Sequence, residues 1–171
     1  MKRPYYTVDS INCLSSIGYL INRCGSMMAA IAEEAFHGQP LTFTQWVVLM
    51  SLRDHDSHLS PTRLSQEAGY DMGALTRVVD ALERQGYVCR ERSELDRRAV
   101  EITLTNAGHR QAKACKGLIV DLLNKLIEPF SKSEIDFLIP LLQRMHQRLQ
   151  EYVDTPREKV EGTRRKKTSP K

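Results

Sequence analysis

The side chains best equipped for chemistry in this chain are guanidinium groups. Arg97 and Arg98 stand together at the end of the segment Ser93, Glu94, Leu95, Asp96, Arg97, Arg98, and Arg77 precedes them in the run DMGALTRVVDALERQG. A guanidinium is planar and permanently charged, and its paired N–H groups match phosphate oxygens or the major-groove edge of guanine. Asp96, two residues before Arg98, is close enough to hold that side chain through a paired hydrogen bond. Bond-making chemistry has no comparable support. There is no GxxxxGK phosphate loop, no HExxH, no GxSxG and no Rossmann glycine set, so an enzyme is not expected.

These arginines need elements to present them. From Asp71 to Gln85 the apolar residues Leu75, Val78, Val79 and Leu82 recur at helical spacing, Asp71 suits an N-cap, and Gly86 suits a left-handed stop. Met72, Gly73, Thr76, Arg77 and Asp80 fall off the apolar stripe. Their small and polar side chains are free to enter a groove, at a helix end whose N–H groups attract phosphate. Ahead of this helix, Ser60 to Gly69 supply a cap, a first-turn proline, a short helix and a glycine turn, which together are the parts of a helix-turn-helix. After it, Tyr87 to Arg92 form one strand, and Val100, Ile102 and Leu104 alternate with Glu101, Thr103 and Thr105 in a second. The six-residue tip between them exceeds the two residues a tight hairpin prefers, and its adjacent arginines suit a narrow, electronegative minor groove. A plain solvated loop is the competing reading of the tip, and the preceding helix pair weighs against it.

In this layout the chain resembles the MarR family of bacterial transcription regulators over roughly residues 11–152. The resemblance is carried by the run GALTRVVDALERQGYVCRE from Gly73 to Glu91, by Asp96, Arg97 and Arg98, and by LTNAG from Leu104 to Gly108. It implies a mainly α fold with a small antiparallel β-hairpin wing, a winged helix-turn-helix with a dimerisation region of N- and C-terminal helices. It further implies a homodimer on double-stranded DNA, with the recognition helix in the major groove, Arg98 in the minor groove and Asp96 as buttress. The DNA-binding residues expected are Ser60, Thr62, Arg63, Asp71, Met72, Gly73, Thr76, Arg77, Arg84, Arg97 and Arg98. The implied organisation is a single domain over 1–152, with dimerisation helices at 11–36 and 106–152 and the winged lobe at 44–105. A basic tail expected to be disordered follows at 153–171.

Composition agrees without demanding this. The chain has 171 residues, 41% hydrophobic and 27% charged, as expected of one soluble globular domain. No apolar stretch is long enough to span a bilayer and the first residues lack a secretory core, so a cytoplasmic location without membrane association is expected. The net charge is +4, but Thr155 to Lys171 contribute seven basic and two acidic residues, leaving 1–154 at −1. Between Ser60 and Arg110 eight Arg meet eight acidic residues, so placement rather than net charge argues for a duplex. The tail could add a weak, sequence-independent attraction to phosphates.

Three flanking segments step three and four residues at a time along an apolar seam. They are Leu14, Ile17, Ile21, Cys24, Met28, Ile31 and Ala35; then Ala112, Cys115, Ile119, Leu122 and Leu126; then Ile135, Leu138, Leu142, Met145, Leu149 and Tyr152. Ser131 and Glu134 form a capping box for the last. Such faces must bury on each other or on a partner, and two-fold symmetry then predicts a near-palindromic site with half-sites about one helical turn apart.

A further helix runs from Thr44 to about Asp54. The resemblance implies a crevice between dimer helices and lobe for a small, aromatic or phenolic, anionic effector, with Tyr19, Arg23, Met27, Trp46 and Met50 as candidate lining and Arg23 as countercharge. Ordinary core is the alternative for the apolar ones. A repressor released by such an effector is the expected mode. A rival is a thiol-based redox regulator using Cys13, though no Lys or Arg stands near it in sequence to lower its pKa. Cys13 and Cys24, eleven residues apart, share nearly one helix face about 16 Å apart along the axis. A winged-helix protein-interaction module is the remaining alternative. Asp54, His55, Asp56 and His58 read as a hydrated turn rather than a metal site, and no cofactor is expected.

Overall fold

The computed structural model describes residues 5–92 and 99–154, which divide between two compact units, Met1–Lys125 and Leu126–Lys171. The tip residues Asp96, Arg97 and Arg98, and the basic tail from residue 155, lie outside the described residues.

In the first unit, the N-terminal segment departs from the expected unbroken helix. Asn12 and Ser15 cap each other reciprocally, closing a 3-10 turn over Cys13–Ser15, and Ser16 is extended before it caps α1 (Ile17–Ala35) through its hydroxyl and the Tyr19 amide. Two cap signals within five residues override the apolar seam. Leu14 is consequently off the helix and 80% exposed, and Cys13 shares no helix with Cys24, so the estimate of their spacing along one axis does not hold.

Helix α2 (Phe43–Arg53) starts one residue earlier than expected, at a Thr42–Gln45 capping box. After it, Asp56 and Ser57 both adopt positive φ and lead into β1 (His58–Leu59), a strand the sequence did not announce. Ser60 caps α3 (Pro61–Ala68), with Pro61 at its start and Gly69 left-handed at its end, and Asp71 caps α4 (Met72–Arg84). Gly86, at φ +72, turns the chain from α4 into the sheet, a conformation that suits a residue without Cβ.

Strands β2 (Val88–Arg92) and β3 (Val100–Leu104) pair antiparallel with Val88 opposite Leu104 and Arg92 opposite Val100, and β1 adds to the far edge of β3, giving the order β1-β3-β2. One core serves helices and sheet. Val48, Leu49 and Leu52 of α2, Leu64 of α3, Leu75, Val79 and Leu82 of α4, and Val88, Ile102 and Leu104 of the sheet are buried together. The leading part of α5 (Asn106–Ile127) joins them through Ala112 and Cys115, and the Trp46 indole N–H donates to the Ala112 carbonyl at 3.0 Å.

The second unit contains α6 (Lys132–Asp154), which begins where Ser131 and Glu134 cap each other and carries Pro140 within it. Phe137 is 70% exposed, and Leu138, Leu142 and Leu149 are also exposed along this helix.

Candidate nucleic-acid interface

Helices α3 and α4 pack on α2 through Leu64, Leu75, Val79 and Leu82, which fixes the opposite face of each outward. That face carries the residues expected to meet a duplex. Ser60 is half-buried, its hydroxyl accepting from the Arg63 amide, whereas Thr62 and Arg63 of α3 and Met72, Gly73, Thr76, Arg77 and Arg84 of α4 are exposed.

Asp71 is the cap, its Oδ1 accepting from the Ala74 amide at 2.9 Å. That hydrogen bond is the main influence holding its carboxyl below the ordinary carboxylate range, with Arg77 adding a smaller attraction. An anion therefore already occupies the start of α4, and this end draws phosphate less than a bare helix terminus would. Thr76 donates its hydroxyl to the Met72 carbonyl at 2.7 Å, so its proton is also engaged.

Ion pairing sorts the arginines of this formally neutral lobe. Arg63 meets Glu67 at 2.7 Å, and Glu67 lies 3.4 Å from His55 Nε2 as well. Arg90 on β2 reaches across to α4, where it pairs with Asp80 at 2.5 Å and also with Glu83. The Asp80 hydrogen bond is the leading cause that raises the pKa of Arg90 further. Arg84 donates Nε–H to the Asp80 carbonyl. Among the described residues Arg77 makes no hydrogen bond or ion pair, and it projects from the middle of the exposed face of α4. Asp80 and Glu83 are thus drawn towards β2, around Arg90, and the donors of Arg77 stay open to solvent.

Three residues that hold this arrangement are not among the candidates legible in the sequence. Arg90 ties β2 to α4. Thr105 donates its hydroxyl to Gly86 O at 2.7 Å, receives the Gly108 amide on the same oxygen, and donates its own amide to Tyr87 O. Gly108 lets the first turn of α5 rest on that corner, since an added Cβ would stand 2.1 Å from Tyr87 O. The spacing Thr105-x-x-Gly108 was the available signal for the last two. For Arg90 it was the pair Asp80 and Glu83, one turn apart on the polar side of α4.

The effector candidates are dispersed by burial. Tyr19, Arg23 and Met27 are exposed on α1, Met50 is half-buried, and Trp46 lies in the core, stacked on Phe43 with ring centres 6.1 Å apart. Cys13 is an exposed free thiol, and the nearby Tyr6 hydroxyl donates to Ser15 O and accepts from the Ile17 amide. His55 Nδ1 contacts Ser51 O and His58 Nδ1 contacts Asp56 O; among the described residues no three His, Cys, Asp or Glu gather as a metal site would require.

Comparison with known proteins places this geometry. Residues 41–100 match the family model described as MarR family. The HTH-type transcriptional repressor YetL of Bacillus subtilis is 28% identical over 128 residues, covering 74% of this chain and 77% of YetL. The HTH-type transcriptional regulator SarZ of Staphylococcus aureus is 35% identical over 94 residues, which span 55% of this chain and 60% of SarZ. Among solved structures, a mutant of MarR from E. coli complexed with operator DNA is 28% identical with a TM-score of 0.67, over 77% of this chain and 94% of that one. No described helix is long and apolar enough to cross a membrane.

Proposed function

Since the chain belongs to the MarR family of winged helix-turn-helix transcriptional regulators, we propose that it is a homodimer that represses transcription by binding a near-palindromic operator. Helix α4 enters the major groove, and the hairpin tip with Arg97 and Arg98, buttressed by Asp96, reaches the flanking minor groove. The single observation that carries this reading is Arg77, an exposed cation on α4 that makes no hydrogen bond or ion pair among the described residues. Thr62 and Arg63 at the start of α3 serve the phosphates beside it. Repression, rather than activation, is favoured by the likeness to YetL, a repressor by name.

Release by a small anionic effector belongs to the same proposal. Tyr19 and Arg23 are exposed one helical turn apart on α1 with Met27 a further turn on, a spacing that offers an aromatic face, a cation and a soft apolar wall to a phenolic acid.

The test is Arg77→Ala in the full chain. Affinity for the operator should fall by about 1 to 3 kcal/mol, with binding to random duplex far less affected and dimerisation unchanged. Equal affinity of the variant and the parent for operator would contradict the placement of α4.

A further inference from the structure

One exposed side chain on α4 has no role in a scheme built on charge. Met72, the first residue of the helix, keeps 45% of its surface open, although methionine is among the residue types most often buried. Gly73 beside it has no side chain, and Thr76, one turn on, has its hydroxyl proton committed to the Met72 carbonyl. No Asn, Gln or Lys occurs anywhere in Met72–Arg84. The leading part of the outward face therefore presents a thioether, bare backbone and an occupied hydroxyl, with Arg77 behind them as the long hydrogen-bond donor.

In the major groove, base edges are donors and acceptors with one apolar exception, the C5 methyl of thymine. A thioether laid against a donor or acceptor would strip its water without replacing the hydrogen bond. Laid against a methyl group, it removes apolar surface from water on both sides.

Resting on the function proposed above, we infer that Met72 is a specificity-determining residue that packs against the C5 methyl of a thymine in each half-site. Arg77 then supplies the hydrogen-bonded contact five residues further along the helix. The preference at that base pair is for a methyl group rather than for a donor or acceptor pattern.

The test begins with selection of bound duplexes from a random pool by the full-length protein. Each thymine of the selected operator is then replaced singly by uracil, which keeps the hydrogen-bonding edge and deletes only the methyl. The expected result is one position per half-site at which uracil weakens binding by about three- to tenfold. The Met72→Ala variant, whose exposed site leaves the core untouched, should bind thymine and uracil versions of that position equally. Wild-type protein indifferent to uracil at every position would overturn the inference while leaving sequence-specific binding intact. A methyl preference that persists undiminished in Met72→Ala would also overturn it. Failure of the selection to enrich any sequence would overturn the function proposed above, and this inference with it.

Discussion

Gly108 illustrates how much of the interface depends on residues that touch no partner. A methyl group there would sit 2.1 Å from the Tyr87 carbonyl and 2.7 Å from Leu104 Cδ1, and the contact with backbone cannot be relieved by a side-chain rotation. Gly108→Ala should therefore lose about 1 to 3 kcal/mol of stability in urea denaturation, the usual cost of overpacking. A variant as stable as the parent would mean that α5 is free to lift off the hairpin corner. The sequence marked this glycine as part of LTNAG but not why it must be glycine, because the reason is a carbonyl that Gly86 and Tyr87 bring alongside from the start of the opposite strand. Met72 and Arg77 were more legible, since any residue off the stripe Leu75, Val79, Leu82 had to face outward. What could not be read was which arginines are free. Arg77 and Arg90 look alike in sequence, and only folding pairs Arg90 with Asp80 and Glu83.

At the scale of elements, that pairing joins β2 to α4. Arg90→Gln should leave stability within about 1 kcal/mol of the parent, as expected for a partly exposed ion pair, while weakening operator binding several-fold because β2 loses its tether to α4. Unchanged operator affinity would show that the sheet is held by its core alone. Elements with explicit chemical signals at both ends were legible in the sequence: α3 from Ser60, Pro61 and Gly69, and α4 from Asp71 and Gly86; α6 was legible at its start from Ser131 and Glu134. Two features escaped. The β1 strand is only His58–Leu59, too short for any alternation to show, and it follows a turn in which Asp56 and Ser57 both take positive φ, a conformation Ser57 gives no sign of. The first helix starts later than its apolar seam implies, because Asn12 and Ser16 are local caps that the chain uses in succession and that outweigh the periodicity from Leu14. Helix α5 changes surroundings along its length: Ala112 and Cys115 of its seam are buried in the lobe and Ile119, Leu122 and Leu126 are half-buried, whereas Val120, Leu123 and Ile127, one position off the seam, are exposed.

At the scale of the whole molecule, each unit leaves apolar side chains exposed, on α1 and α5 and on α6, and runs of such groups mark association surfaces. The proposed second copy would cover Ile17, Ile21, Met28 and Ile31 together. Ile21→Glu should raise the dissociation constant of the dimer by roughly a hundredfold or more in sedimentation equilibrium, because a carboxylate would be buried without a partner. A parent protein that sediments as a monomer would remove the symmetry on which a palindromic site depends. The central claim, that this scaffold presents Arg77 and its neighbours to a specific duplex, is tested most directly by one comparison. Binding of the full-length protein to its selected palindrome is measured beside a scrambled duplex of equal length, across a salt series. Binding to the palindrome should be roughly a thousandfold tighter or more at physiological salt, with both affinities falling as salt rises. Equal affinity for the two duplexes at every salt concentration would contradict it.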